Sequence, residues 1–207
     1  STMNAMGVGL AVLGLAILRP SLVQTPLSIA AQGGIIVDAE TGVALWEKSP
    51  DARLYPASTT KILTALLLIE HSSSGTTIRA PQDVQRVGES SAHLMPGEEV
   101  TADDLLRMIL LRSGNDAAYT AAIHVSGSVK KFAQLMNHRA AELGCISSHF
   151  ANPHGLHDQS HYTSPRDLAT IARAALAEPR FAEVVQLQSG TVNRSKNQSD
   201  TIMKNRN

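Results

Sequence analysis

The chain has a single cysteine, Cys145, so no disulfide can close within it and no cysteine-based metal site can be built. Aromatic residues make up only 3%, too few for a surface that stacks nucleic-acid bases. Eighteen basic side chains balance eighteen acidic ones, so the basic field of a nucleic-acid binder is missing. Crossing a bilayer takes about 20 apolar residues in a row. The run from Val8 to Leu18 falls short of that. There is no internal repeat and no low-complexity segment. What is left is a chain of 207 residues, 43% hydrophobic, long enough for one globular domain with a core, or one plus a small appendage.

The most informative stretch is Tyr55-Pro56-Ala57-Ser58-Thr59-Thr60-Lys61, which runs into the apolar segment Ile62 to Ile69. Pro56 suits the start of a helix or the turn before it. A helix that is apolar all round is buried in its domain. Ser58 and Lys61 at its head, spaced i and i+3, share one face with Cβ atoms about 5–6 Å apart. The helix N-terminus offers free N–H groups that favour developing negative charge. A hydroxyl, an amine and such a helix end are the parts of an activated serine nucleophile. Burial lowers a lysine's pKa toward that of a general base. The competing reading makes Ser58 an N-cap and Lys61 a snorkelling side chain. A second copy of the spacing, Ser128-Val129-Lys130-Lys131, follows Gly127 and reads as an ordinary N-cap with solvated lysines.

Residues 1–7 read as an expression scar or start region. Val8–Leu18 has the length of a secretory leader's apolar region, with Ser28-Ile29-Ala30 as a small-residue cleavage site; a buried N-terminal helix is the alternative. Gly34–Asp38 and Val43–Glu47, joined by Ala39-Glu40-Thr41-Gly42, predict a β-hairpin. Thr76–Arg79 predicts a short strand and Pro96-Gly97 a turn. Thr101 caps a helix with Asp103 and Asp104 in its first turn. That helix ends near Leu111–Asp116, and another runs from Ala117 to Val125. Ser128–Leu143 is amphipathic, with Phe132, Leu135, Met136 and Leu143 inward. Cys145 reads as a small buried hydrophobe. Asn152-Pro153-His154-Gly155-Leu156 is a turn-rich loop. Ser164-Pro165 opens a helix to about Ala177, and Pro179 another. The tail Ser189–Asn207 is polar and patternless apart from Thr201-Ile202-Met203.

With Ser113-Gly114-Asn115 in place, the chain resembles the penicillin-recognising serine D-alanyl-D-alanine carboxypeptidases, the low-molecular-mass penicillin-binding proteins of the bacterial cell wall. Ser58-Thr59-Thr60-Lys61 is similar to the family's S-x-x-K and Ser113-Gly114-Asn115 to its S-x-N. Asp38–Gly42, Leu94–Glu98, Asn152–Leu156 and Tyr162–Ala169 also resemble that family. The similarity runs from about Ala30 to the end. No Lys-Thr-Gly or Lys-Ser-Gly occurs, so the third motif is missing. Asn205-Arg206-Asn207 looks like the stretch before its strand. The resemblance thus implies an α+β fold: an incomplete serine β-lactamase/DD-peptidase-like domain over 31–207, with the helical half and the N-terminal hairpin, after a leader-like segment over 1–30.

For the site, the resemblance implies that Lys61 takes the proton of Ser58 and that Ser58 attacks the D-Ala-D-Ala amide. Ser113 relays a proton to the leaving amine. Asn115 bonds substrate and helps hold Lys61. It implies no cofactor. Its partners are a peptidoglycan peptide ending in D-Ala-D-Ala and β-lactam antibiotics, outside the cytoplasm; a membrane anchor, if there is one, would lie outside this chain. His149, His154, His157 and His161 cluster, but their spacing matches no patterned metal motif such as H-E-x-x-H. They are expected to be incidental to the chemistry. Two alternatives of function stay open: a binding module for cell-wall peptide or penicillin, which the missing third motif favours, and a β-lactamase. A class A β-lactamase needs a glutamate that positions the deacylating water, and no Glu-x-x-Leu-Asn stretch is present.

Overall fold

The apolar run behind Lys61 becomes the central helix. The computed structural model describes residues 30–206. The leader and cleavage-site readings fall on residues that lie, Ala30 aside, outside those described. Helix α1 spans Lys61–His71, and its residues Leu63 to Ile69 are buried on every side. No single polar face is left, because other helices surround it. α2 (Ala102–Leu110), α3 (Asn115–Ser126), α4 (Val129–Glu142), α5 (Pro165–Leu176) and α6 (Pro179–Val185) each pack against it or against one another. Phe132 of α4 and Phe150 are the largest side chains with no exposure, and they fill the core beside Leu63, Leu66 and Met108.

The helix starts follow side-chain caps. Thr101 accepts from Asp104 N–H, Ser128 from Lys131 N–H, and Ser164 from Asp167 N–H. Such caps satisfy N–H groups that the helix itself leaves without acceptors. The second serine–lysine spacing, at Ser128, is therefore a cap, and Lys130 and Lys131 are exposed. At the other end of α1, Arg180 of α6 donates to the Ser72 carbonyl at 2.7 Å and pairs with Asp103 of α2, tying three helices together.

The strands form three antiparallel pairs. β1 (Gly34–Val37) pairs with β2 (Ala44–Lys48), Ile35 opposite Glu47, with an irregularity after Ile36. This is the expected hairpin, and it lies against α5. β3 (Thr77–Arg79) pairs with β4 (Glu99–Thr101), Ile78 opposite Val100. The tail differs from the patternless segment read from sequence: β5 (Ser189–Thr191) pairs with β6 (Ile202–Lys204). Its organiser is Arg194. That side chain is fully buried, bonds both oxygens of the equally buried Glu98, and donates to the carbonyls of Ala92, His93 and Asp200. A buried pair persists only when its remaining hydrogen-bond capacity is met. Here loop carbonyls take up the guanidinium donors beyond the Glu98 pair.

Among the described residues no helix is long and apolar enough to cross a membrane.

Candidate active site

Ser58 lies in a 3₁₀ turn, Ala57–Thr60, rather than in the α-helix that the run predicts. Lys61 is the first residue of α1 proper. The tighter turn still puts the two on one side. Ser58 is exposed while Lys61 is 3% exposed. Ala57 has φ +49°, a left-handed conformation costing about 1–2 kcal/mol for a residue with a Cβ.

The Lys61 amine is 3.5 Å from Ser58 Oγ and donates to the His154 carbonyl at 2.9 Å. Burial pulls its pKa down to about 8, while the charges of Glu89 and Asp116 push the other way. An amine so placed is partly neutral near neutral pH and can accept a hydroxyl proton. The 3.5 Å separation is at the long end of the hydrogen-bonding range.

The loop 88–94 is bonded to the head of α3, next to Ser113. Ser113 turns the chain out of α2 with φ +55°. Gly114 follows because a Cβ there would meet Asp116 Oδ1 at 2.9 Å and Ala92 Cβ at 3.0 Å. Asn115 is buried, with its amide N–H₂ donating to the Gly88 carbonyl and its backbone N–H to Ser90. Among the described residues, the groups bonding the Lys61 amine are therefore Ser58 and His154, and Asn115 supports the loop instead. Asp116 binds that loop more tightly still. It accepts from Ala92 N–H, Leu94 N–H, Ser91 Oγ–H and Ala117 N–H, all within 2.8–2.9 Å. In Asp116→Asn an NH₂ group replaces one of these acceptors and faces donors. The expected cost is about 2 kcal/mol, a fall in Tm of about 4–8 °C. A thermal melt unchanged from wild type would show that this loop is not held by the carboxylate.

The histidines divide. His149 is exposed, its ring meeting the Ser160 carbonyl, and the His157 ring sits edge-on to Tyr55. Two others contact the serine turn and the head of α1. The His154 carbonyl holds Lys61, and the buried His161 contacts Thr60 Oγ1 at 2.8 Å. Thr64 adds a third link to the same loop, donating to the Pro153 carbonyl at 2.6 Å. Asn152 fixes the loop internally, accepting from Gly155 N–H and donating to Leu156. These roles rest on backbone carbonyls and on partners about a hundred residues away, which spacing does not reveal. The only local signal is the turn chemistry of Asn152-Pro153-His154-Gly155.

Ser58, Lys61 and Ser113 line one cleft of ≈ 370 Å³, whose apolar floor includes Ile109, Leu110 and Phe181. Asn115 is not among the residues that line it. An exposed hydroxyl, a buried amine and a second hydroxyl on one cleft are groups that acyl transfer can use.

The chain is 37% identical to D-alanyl-D-alanine carboxypeptidase DacF of Bacillus subtilis over 155 residues, which cover 72% of this chain and 40% of that protein. It is 32% identical to D-alanyl-D-alanine carboxypeptidase DacA of Haemophilus influenzae, over 83% of this chain and 46% of that one. The crystal structure of the Streptomyces K15 DD-transpeptidase superposes with TM-score 0.79 at 32% identity, covering 87% of this chain and 73% of that one. The chain thus spans about half the length of the first two. The folds coincide, so the α+β DD-peptidase-like architecture holds for the described residues. The D-alanyl-D-alanine carboxypeptidase family model matches residues 20–207 and takes in the Ser58 turn, the Ser113 turn and the His154 loop alike: the chain belongs to that family.

Proposed function

We propose that the chain carries the nucleophile-bearing part of a serine D-Ala-D-Ala carboxypeptidase that acts on peptidoglycan peptides outside the cytoplasm and is acylated by β-lactams. The observation that carries this reading is the buried Lys61 amine beside the exposed Ser58 hydroxyl. Neutral Lys61 removes the Ser58 proton as Oγ attacks the carbonyl of the terminal D-Ala-D-Ala amide. The C–N bond then breaks. The proton passes from Lys61 through Ser113 to the departing D-alanine amine. Water hydrolyses the ester and restores Ser58. The Ser58 N–H supplies one oxyanion donor, and a second belongs on a strand carrying Lys-Thr-Gly. Losing one such donor costs about 10²–10³ in rate.

The test is intact mass after incubation with a penicillin, followed by peptide mapping. It is run on this chain and on a version extended by a Lys-Thr-Gly strand. One adduct mapped to Ser58 is expected in the extended version. Its appearance in the shorter chain as well would mean that the helical half already holds a working nucleophile. No adduct in either, or one elsewhere than Ser58, would sink the acyl-enzyme reading. Release of D-alanine from a D-Ala-D-Ala peptide separates the carboxypeptidase from a penicillin-binding module, and rapid penicillin turnover would identify a β-lactamase.

A further inference from the structure

Thr60 stands between the two residues of the proposed chemistry, yet its side chain points the other way. It is 1% exposed and its hydroxyl meets His161 Nε2 at 2.8 Å. His161 is 2% exposed and clamped from its other side as well, where Ala151 N–H donates to Nδ1 at 2.9 Å. That donor fixes the tautomer: Nδ1 accepts, so Nε2 carries the proton and donates to Thr60. The Phe150 ring, edge-on at 5.6 Å, closes the ring's remaining freedom. Burial holds His161 neutral, with a pKa near 4; Asp158, His149 and His154 are the titratable groups around it.

We infer that His161 is a positioning residue for acylation: through Thr60 it sets the rotation of the turn that carries Ser58 and Lys61. Three observations converge on this. Thr60, Lys61 and Thr64 all bond the segment 153–161, so the turn is registered against it at three successive points. Gly155 of that segment lies so close to the Ala57 carbonyl, immediately before Ser58, that a Cβ there would overlap it. Ala57 itself is strained, with φ +49°, and a strained conformation persists only where its surroundings over-determine it. Of the three bonds only His161–Thr60 joins two side chains outside the proton path. It can therefore be changed without touching a reacting group. The inference rests on the acyl-enzyme reading for its rate prediction but not for its geometry.

Two amides divide the ring's functions. Asparagine places its amide where Nδ1 lies and can still accept from Ala151, but it is too short for Thr60. Glutamine reaches the Nε2 position and can bond Thr60. In the extended version, His161→Asn is expected to slow penicillin acylation about 100-fold, the effect of about 1 Å of misplacement. The saturation constant stays near the wild-type value, and His161→Gln restores the rate to within about threefold of wild type. Equal rates in both variants, whether normal or lowered together with Tm, would make His161 merely structural and overturn the inference. The second readout is the titration of the Lys61 side chain by NMR, with the charges of Glu89 and Asp116 and the titratable His154 as its surroundings. A loosened turn admits water to the amine, so the midpoint rises in His161→Asn and not in His161→Gln. If wild type forms no adduct, the acyl-enzyme reading fails while this titration still decides the positioning role: a midpoint unmoved by His161→Asn overturns it.

Discussion

Ser58→Ala forms no penicillin adduct, and Lys61→Arg forms one at least about 10³-fold more slowly than the parent chain, within the usual 10²–10⁴ range for a lost general base. The first result follows because alanine has no atom to acylate. The second follows from protonation rather than size. Arginine keeps the positive charge and can still donate to the His154 carbonyl, but it stays protonated at any working pH and cannot take the Ser58 proton. Lysine can, because burial has brought its pKa to about 8. The sign is definite. The active form is the neutral amine, so acylation rises with pH through about 8 and levels off above it. Stopped-flow acylation between pH 6 and 10 checks this. A rate that falls as pH rises through 8 would mean that the ammonium form is the working one. Full activity in Lys61→Arg would remove the lysine from the mechanism altogether.

The second large effect is expected at Gly155→Ala, a change of one methyl group. A Cβ at this position would lie 1.8 Å from the Ala57 carbonyl oxygen, and the residue has φ +89°. The left-handed backbone alone costs about 1–2 kcal/mol. The forced separation of two backbone segments adds about 1–3 kcal/mol. Together about 2–5 kcal/mol are lost, which lowers Tm by about 4–20 °C in a chain of this size. The function suffers more than the fold, since whichever segment yields, the Ala57–Ser58 turn moves. Differential scanning calorimetry and the penicillin adduct assay read the two consequences separately. A variant with unchanged Tm and normal acylation would show that the 155 loop does not lie against the turn.

Much of this was legible in the sequence, and the reasons differ by element. Helix α1 announced itself because a helix surrounded by other helices has no polar face, and Ile62–Ile69 has none. The caps at Thr101, Ser128 and Ser164 were readable because capping is a local bond spanning three residues. The β5–β6 pair was not. Its strands are three residues each, half polar, and its organiser, Arg194, looks like any surface arginine until Glu98 is brought beside it. Ser58, Lys61 and Ser113 were identifiable as a group, and they share a cleft. Asn115, expected to bond substrate and Lys61, has its amide claimed by the Gly88 carbonyl. The left-handed backbones of Ala57 and Ser113 left no trace at all, since neither residue type signals positive φ.

The three bonds that register the serine turn link residues 101, 93 and 89 positions apart. Every contact of that kind closes a long loop, so it forms late in folding. The delay has a measure on the ribosome, where synthesis adds about 5–20 residues per second. From the emergence of Ser58 until His161 follows it, about 5–20 seconds pass in which the serine exists but its lysine has no carbonyl to hold it. For most of that interval the Ser58 turn lacks all three of the bonds that register it.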